Sequence, residues 1–151
     1  MFIRTGHLDR VADALSDIST VYFRSSQFEK ALESILEARE AAKGSAMTRT
    51  NSALRIEFKH GCYLCALQRD AEALPIFQEC LSIFELAGQL GSSAECFKHM
   101  GLLHIRQGNH GEARVAVEGA IAKHIQIGDT TASGREEIRK LEELKEQLTK
   151  S

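Results

Sequence analysis

The sequence predicts an all-α fold, an α-α superhelix of three helical hairpins followed by a C-terminal capping helix. Small residues recur in triplets with internal gaps of 12 and 7 residues, and successive triplets lie 42 and 40 residues apart. A self-similar period of this length is typical of stacked supersecondary units. Apolar residues also recur at helical spacing, with no competing segment of strict alternation. The triplets are Ser19–Ala31–Ala38, Gly61–Ala73–Cys80 and Gly101–Ala113–Ala120.

Clusters of Gly and small polar residues divide the apolar stripes into seven helices. Examples of such breakers are Ser25-Ser26-Gln27, Gln68-Arg69-Asp70 and Gln107-Gly108-Asn109. We predict helices at residues 8–25, 28–43, 49–67, 71–87, 92–107, 111–127 and 132–149. The first six pair into repeats at about 8–43, 49–87 and 92–127, followed by the capping helix at 132–149, within a single domain 1–151.

The small residues explain why the helices pair. The first residue of each triplet lies in the middle of a helix, where Gly is unfavourable by about 1 kcal/mol relative to Ala. A slender side chain there lets a neighbouring helix approach closely, and the following Ala opens the helix that faces the gap. The alternative is three unrelated amphipathic helices that contain Ala, and two equal gaps in three copies disfavour it.

Composition and charge exclude several classes of function. The chain has 151 residues, 43% of them hydrophobic and 26% charged, so it can bury a core. Its formal charge is -2 and it has no Lys/Arg run, so we expect no nucleic-acid partner. No apolar run reaches the roughly 18 residues of a membrane helix, so we expect no membrane partner. Four Cys without a disulfide framework favour reduced thiols and a cytoplasmic, intracellular location.

The repeat pattern resembles the tetratricopeptide repeat (TPR) family. That family places a large residue, a Leu-Gly pair and an aromatic on helix A, then Ala twice on helix B. The period of 40–42 residues resembles the long-helix subclass found in signalling scaffolds and kinesin light chains. The resemblance implies a non-catalytic interaction module rather than an enzyme. The third copy matches best, with Phe97, Met100-Gly101, His104, Gly108-Asn109, Glu112-Ala113 and Ala120.

The resemblance further implies that helix A of every repeat lines a concave groove. We expect apolar side chains there to anchor a partner peptide, and Arg side chains to pair with its carboxylates, which favours an acidic protein or peptide partner. The alternative is that these are ordinary solvent-facing residues of a spacer. The expected partner-binding residues are Phe23, Arg24, Arg55, Phe58, Lys98, Leu102, Ile105 and Arg106.

Other side chains carried over to the groove complete its lining. Thr20, Cys62 and Leu102 occupy the slots where some relatives place an Asn-containing carboxylate clamp, so we do not expect binding of chaperone C-termini. The remaining groove positions are Asp13, Ser16, Cys65, Ala66, Glu95 and His99.

The two ends of the chain differ in character. The capping helix carries one apolar stripe, including Leu141 and Leu148, on an otherwise polar surface, which suits the end of a repeat stack. The alternative for this stripe is a short coiled-coil dimer seam. At the other end, Met1–Gly6 resembles the tail of a preceding helix. We therefore expect an uncapped first helix and self-association through the N-terminal end.

One cluster of side chains is a candidate for metal binding or redox chemistry. Cys62 and Cys65 form a C-x-x-C motif beside His60, but no second motif completes the four ligands of a structural zinc site. His104 falls in an aromatic slot and is expected to pack at the edge of the core. We expect no cofactor and no metal. Besides the groove-binding adaptor, two hypotheses stay open: a structural subunit or fragment of a larger repeat array in a multiprotein assembly, and a metal or redox site at Cys62/Cys65.

Overall fold

The structure, a computed structural model, describes residues 5–44, 51–128 and 131–150. Within these ranges the chain forms seven α-helices and no strand, which confirms the predicted all-α class. The largest difference from the predicted bounds is three residues, at the start of α1, which was expected at residue 8 and begins at Thr5. The helices are α1 (Thr5–Arg24), α2 (Phe28–Lys43), α3 (Asn51–Ala66), α4 (Asp70–Leu86), α5 (Leu90–Arg106), α6 (His110–Ile127) and α7 (Ala132–Lys150).

The chain divides into two compact units, Met1–Ile76 and Phe77–Ser151. In the first unit α1 packs against α2, α2 packs against α3, and α1 also contacts α3. In the second unit α5 packs against α6, and α6 packs against α7. The larger contacts within each unit therefore join helices that are consecutive in sequence. The single domain expected for residues 1–151 stays a prediction.

The repeat recurs in the backbone as a turn that joins the two helices of each hairpin. Ser26, Gln68 and Gly108 have φ angles of 61°, 60° and 77°, and they are spaced by the same 42 and 40 residues as the small-residue triplets. A residue in this left-handed conformation ends an α-helix when the next N–H bonds back to the last turn. The closing bonds run from Gln27 N to Tyr22 O, from Arg69 N to Leu64 O and from Asn109 N to His104 O, at 2.9, 2.8 and 2.8 Å.

The small residues at the helix centres let the helices approach closely, as predicted. A Cβ atom at Gly101 would lie 3.1 Å from Val117 Cγ2 and 3.7 Å from the carbonyl oxygen of Ala113, both on α6. In the first unit Ser19 is completely buried at the corresponding position. Its hydroxyl donates to the carbonyl of Ser16 at 2.6 Å and shares a hydrogen bond with the hydroxyl of Tyr63 at 2.9 Å. A buried serine is tolerated there because its polar atom is satisfied.

The capping helix contributes to the core of the second unit. Leu141 and Leu148 of α7 are buried in one cluster with residues of α6, including Val117 and Ile121. Burying a Leu side chain contributes about 1.5–3 kcal/mol. The stripe expected for a cap or for a dimer seam is therefore occupied by α6 of the same chain. The outward side of α7 is polar, with Arg139 paired to Glu136 and Glu143.

The beginning of the chain differs from the expectation in part. Residues 1–4 of the expected helix tail lie outside the described residues. Thr5 and Gly6 belong to α1 and do not end a preceding helix. None of the described helices has the length and apolar character needed to cross a membrane.

Candidate functional site

Aromatic rings position one apolar side chain at the end of α1. The ring of Phe23 lies 5.1 Å from the ring of Tyr63 on α3, and 5.3 Å from that of Phe28 at the start of α2. Phe23 remains 36% exposed. Because two rings restrict its rotamer, Phe23 presents an apolar face that needs little further ordering to bind a partner.

A lysine that links α3 to α1 lies on the same pair of helices. Lys59 is half-buried, and its ammonium group donates to the hydroxyl of Ser16 at 2.9 Å and to the carbonyl of Ser16 at 3.4 Å. Ser16 was expected to line the groove. It is instead buried, because α3 packs over it and Lys59 reaches its hydroxyl.

Charges of both signs surround this lysine. Burial lowers the pKa of Lys59 below its usual value of 10.5. The nearby guanidinium groups of Arg55 and Arg24 lower it further, while the carboxylates of Asp17 and Asp13 oppose the shift. Because burial disfavours the charged form of Lys59, an additional carboxylate nearby would stabilise it. We call Phe23, Arg24, Arg55, Phe58 and Lys59 the α1/α3 surface.

Lys59 was not among the residues predicted from the sequence. A usable signal was present, because Arg55 and Lys59 are four residues apart and therefore share a face of α3. The predicted residues of this surface differ in exposure. Arg24 and Arg55 are exposed, and Phe58 is half-buried.

The second unit presents fewer accessible groups at the predicted positions. Leu102 and Arg106 are exposed and lie four residues apart, so they share a face of α5. Ile105 is half-buried and packs against the core formed by α6 and α7. We call these three residues, together with Lys98, the α5 surface.

Lys98 of the α5 surface is already paired. Its ammonium group lies 2.9 Å from a carboxylate oxygen of Glu137 on α7. This hydrogen bond raises the pKa of Lys98 and lowers the pKa of Glu137. Lys98 therefore ties the cap to α5, and much of its charge is compensated within the chain.

An open apolar cavity of about 430 Å³ lies between α5 and α6. His104 is buried beneath it, as expected for a residue at the edge of the core, and its Nδ1 lies 3.3 Å from a carboxylate oxygen of Glu112. The corresponding residue of the first repeat, Tyr22, has the ammonium of Lys30 at 5.8 Å from its ring centre. The lining residues are Phe97, Met100, His104, Gly111, Glu112, Val115 and Ala116.

The cysteines form no disulfide in the described ranges. Cys62 and Cys65 are half-buried, whereas Cys80 and Cys96 are buried. Residues 5–44, 51–128 and 131–150 contain no group of three or more His, Cys, Asp or Glu side chains placed to hold a metal ion. Burial lowers the pKa of His60, the third member of the predicted cluster.

Comparisons with known proteins identify the fold through structure rather than sequence. No family model matches the chain, and no curated protein matches it. A crystal structure of BtubC (BKLC) from P. vanneervenii is similar, with a TM-score of 0.71 and 16% identity over 95% of this chain and 63% of that one. The chain thus spans less than two thirds of that protein.

A second similar structure contains the nearly identical TPR-like repeats of a putative kinesin light chain from Podosopora anserina. Its TM-score is also 0.71, with 14% identity over 89% of this chain and 66% of that one. At such identities the likeness shows the fold alone. Together with the three equivalent turns at Ser26, Gln68 and Gly108, it shows that this chain has a TPR-like fold of consecutive helical hairpins.

Proposed function

We propose that the chain is a non-catalytic protein-interaction module, a scaffold or adaptor whose A helices bind partner segments, through the α1/α3 surface in the first unit and through the α5 surface in the second. The TPR-like fold supports a protein-interaction scaffold in general. One observation carries the specific proposal. An immobilised and partly exposed aromatic, Phe23, belongs to the same α1/α3 surface as three cations.

Each group of the α1/α3 surface has a separate role in this proposal. Phe23 buries an apolar side chain of the partner, the kind of central contact that dominates binding energy. The guanidinium groups of Arg24 and Arg55 each donate two hydrogen bonds to a partner carboxylate, and the ammonium group of Lys59 adds a positive charge. With Asp13 and Asp17 counted, these groups leave a local charge of +1, from three cations and two carboxylates, in a chain of formal charge -2. The favoured partner segment is therefore acidic and contains an apolar anchor.

The α5 surface contributes by the same chemistry with fewer groups. Leu102 provides an exposed apolar contact and Arg106 a guanidinium group. Lys98 contributes less to the attraction of an acidic segment, because Glu137 already compensates it. Ile105 acts mainly by supporting α5 from below, since it packs on the core.

The four cysteines bear on where this module works. None of them is in a disulfide. Thiols that are not joined in a disulfide are typical of reducing compartments. This supports our proposal that the module works in the cytoplasm.

A second candidate function is a structural part of a larger assembly, held through faces other than the A-helix surfaces. The observation that favours it is the apolar surface of α1, where Ile18 and Val21 are exposed. In that case the Arg residues of α1, α3 and α5 are solubilising and no partner depends on them.

Selection from a display library of random 12-residue peptides tests the proposal. We expect the selected peptides to be enriched in Asp, Glu and large apolar residues. The double variant R24E/R55E should weaken their binding at least tenfold, because each Arg–carboxylate contact becomes a repulsion. R106E should weaken binding less, because a single contact changes.

The matched control is R135E/K140E, which makes the same change in net charge on the exposed side of α7. It should leave binding unchanged, and circular dichroism should show that all variants keep their helix content. Peptides without acidic residues, or binding that survives R24E/R55E/R106E, would contradict the proposal and favour the structural role.

A further inference from the structure

One face of α1 carries apolar side chains that no other part of the described chain covers. Val21 is 63% exposed, and Ile18 and Ala14 are exposed as well. These residues share a face because they are three or four residues apart on a helix. We call Ala14, Ile18 and Val21 the α1 stripe. Exposed apolar residues that adjoin one another, unlike single scattered ones, form a candidate interaction site.

The internal repeat shows what kind of neighbour this stripe fits. The residues corresponding to Ala14 and Val21 in α3, 42 positions later, are Ile56 and Tyr63, and both are buried. Tyr63 is 3% exposed because α1 packs over it, with the Ser19 hydroxyl 2.9 Å from its own hydroxyl. The same face of the next A helix is therefore covered by the helices of the preceding repeat, with α2 making the larger contact with α3 and α1 the smaller.

The corresponding face is also buried in the third repeat. Cys96 and Leu103, the counterparts of Ala14 and Val21 in α5, are both 0% exposed. In the described residues, α1 is thus the A helix whose stripe has no helix against it. The surface that fits the stripe is therefore another helix, and α1 of a second copy of this chain supplies one.

Charged residues along the stripe make α1 complementary to itself. Arg10, Asp17 and Arg24 are exposed and recur every seven residues, so they line one edge of the stripe with alternating sign. When two such helices pack antiparallel about a twofold axis, the same edges of both helices meet. Asp17 of each copy then lies opposite Arg10 or Arg24 of the other, which gives two equivalent ion pairs.

We infer that α1 is the contact of a homodimer in which two copies pack their α1 stripes antiparallel. Val21 and Ile18 supply the buried apolar centre, and the edge formed by Arg10, Asp17 and Arg24 sets the direction. A single pair of helices buries less area than a standard interface, so the dimer is weak and concentration-dependent. This inference does not depend on peptide binding by the α1/α3 surface.

Sedimentation velocity over a concentration range of about 5 to 500 µM, which spans weak affinities, tests the dimer. We expect the wild type to pass from monomer to dimer. V21K and I18E should each raise the dissociation constant at least tenfold. The control V115K changes a residue that is 67% exposed on α6 and should leave the constant unchanged. A wild type that stays monomeric throughout, or an equal effect of V115K, would overturn the inference.

A charge exchange separates this geometry from any other self-association. D17R makes the edge wholly positive, and R10D/R24D makes it wholly negative, so each variant alone should dimerise at least tenfold more weakly. A 1:1 mixture of the two should recover the wild-type constant by forming heterodimers. Failure of the mixture to recover would reject the antiparallel α1 contact. A monomeric wild type that floats with phosphatidylcholine–phosphatidylserine vesicles would instead assign the stripe to a membrane surface, and would also reject it.

Discussion

Helices α1 and α5 occupy the same place in their repeats and differ mainly in what covers them. Leu103 is completely buried in α5, whereas its counterpart in α1, Val21, is 63% exposed. Cys96 is likewise buried, whereas Ala14 is exposed. Both helices nevertheless pair with the helix that follows, through a slender residue at the centre. The pairing of two consecutive helices is therefore a local property of the sequence. The face of the first helix that points away from this pair is buried only where another helix packs against it.

Gly101 of α5 and Ser19 of α1 both allow close contact with a neighbouring helix, but by different chemistry. Gly101 has no side chain, so Val117 packs directly against its Cα. Ser19 keeps a hydroxyl and satisfies it with the carbonyl of Ser16 and the hydroxyl of Tyr63. The repeat thus requires small volume at this position, and polarity is permitted only where a neighbouring repeat supplies a partner.

The largest expected effect is a difference in stability between a variant of the buried face of α5 and a variant of the exposed stripe of α1. Leu103→Ala should lower the free energy of unfolding by about 2–5 kcal/mol, because it leaves a cavity in a packed core. Val21→Ala should change it by less than about 0.5 kcal/mol, since the side chain is mostly in water. Urea denaturation at a protein concentration where α1 is unpartnered measures both. Equal losses would show that the α1 stripe is covered in the monomer.

The pH dependence of stability should report the burial of Cys96. Burial, with smaller contributions from Cys80 and Glu95, raises the pKa of this thiol from 9.0 to about 12. The native state therefore keeps a proton that the unfolded chain loses above pH 9. This stabilisation is complete below pH 9 and is lost as the pH rises towards 12, at about 1.4 kcal/mol per pH unit.

Denaturation of the wild type and C96A at pH 8, 9 and 10 measures this slope. C96A should flatten it, because the titrating group is gone. The matched control is A14C, which adds a thiol at the equivalent exposed position of α1 and should add no slope. An identical pH profile for the wild type and C96A would show that the thiol does not titrate with unfolding.

Substitutions at the turn residues should change the stability of the protein in opposite directions. A non-glycine residue in the left-handed conformation costs about 1–2 kcal/mol, so Gly108→Ala should destabilise by about 1 kcal/mol. Ser26→Gly and Gln68→Gly should each stabilise by about 0.5–1 kcal/mol, because glycine relieves strain but loses entropy. Thermal melts of the three variants provide the comparison. A loss of stability in S26G would mean that its turn does not follow the one at Gly108.

The smallest expected effect is the coupling energy of the ion pair that links α5 to the capping helix α7. A double-mutant cycle on K98A and E137A should give a coupling of about 0.2–1 kcal/mol, as is usual for a partly exposed ion pair. The coupling should shrink at high salt, because mobile ions screen the pair. A cycle on R135A and E142A, two exposed α7 residues without such a contact between them, is the control. A coupling near zero for the first pair would return Lys98 to the partner-binding surface as an uncompensated cation.

The sequence by itself determined the number, order and approximate bounds of the helices. Periodicity and turn chemistry are local, so the stripes ended by Ser26, Gln68 and Gly108 were sufficient to place them. The resemblance to the tetratricopeptide repeat family also implied that Arg24 and Arg55 lie on the accessible side of helix A, and both are exposed.

The tertiary structure decided which side chains remain available. The repeat register could not reveal that Ser16 is buried beneath α3, that Lys59 joins the α1/α3 surface, or that Glu137 pairs with Lys98. Each of these contacts joins helices that are not consecutive in the chain. The spacing of residues along one helix states which face they share, but only packing places a second helix against that face.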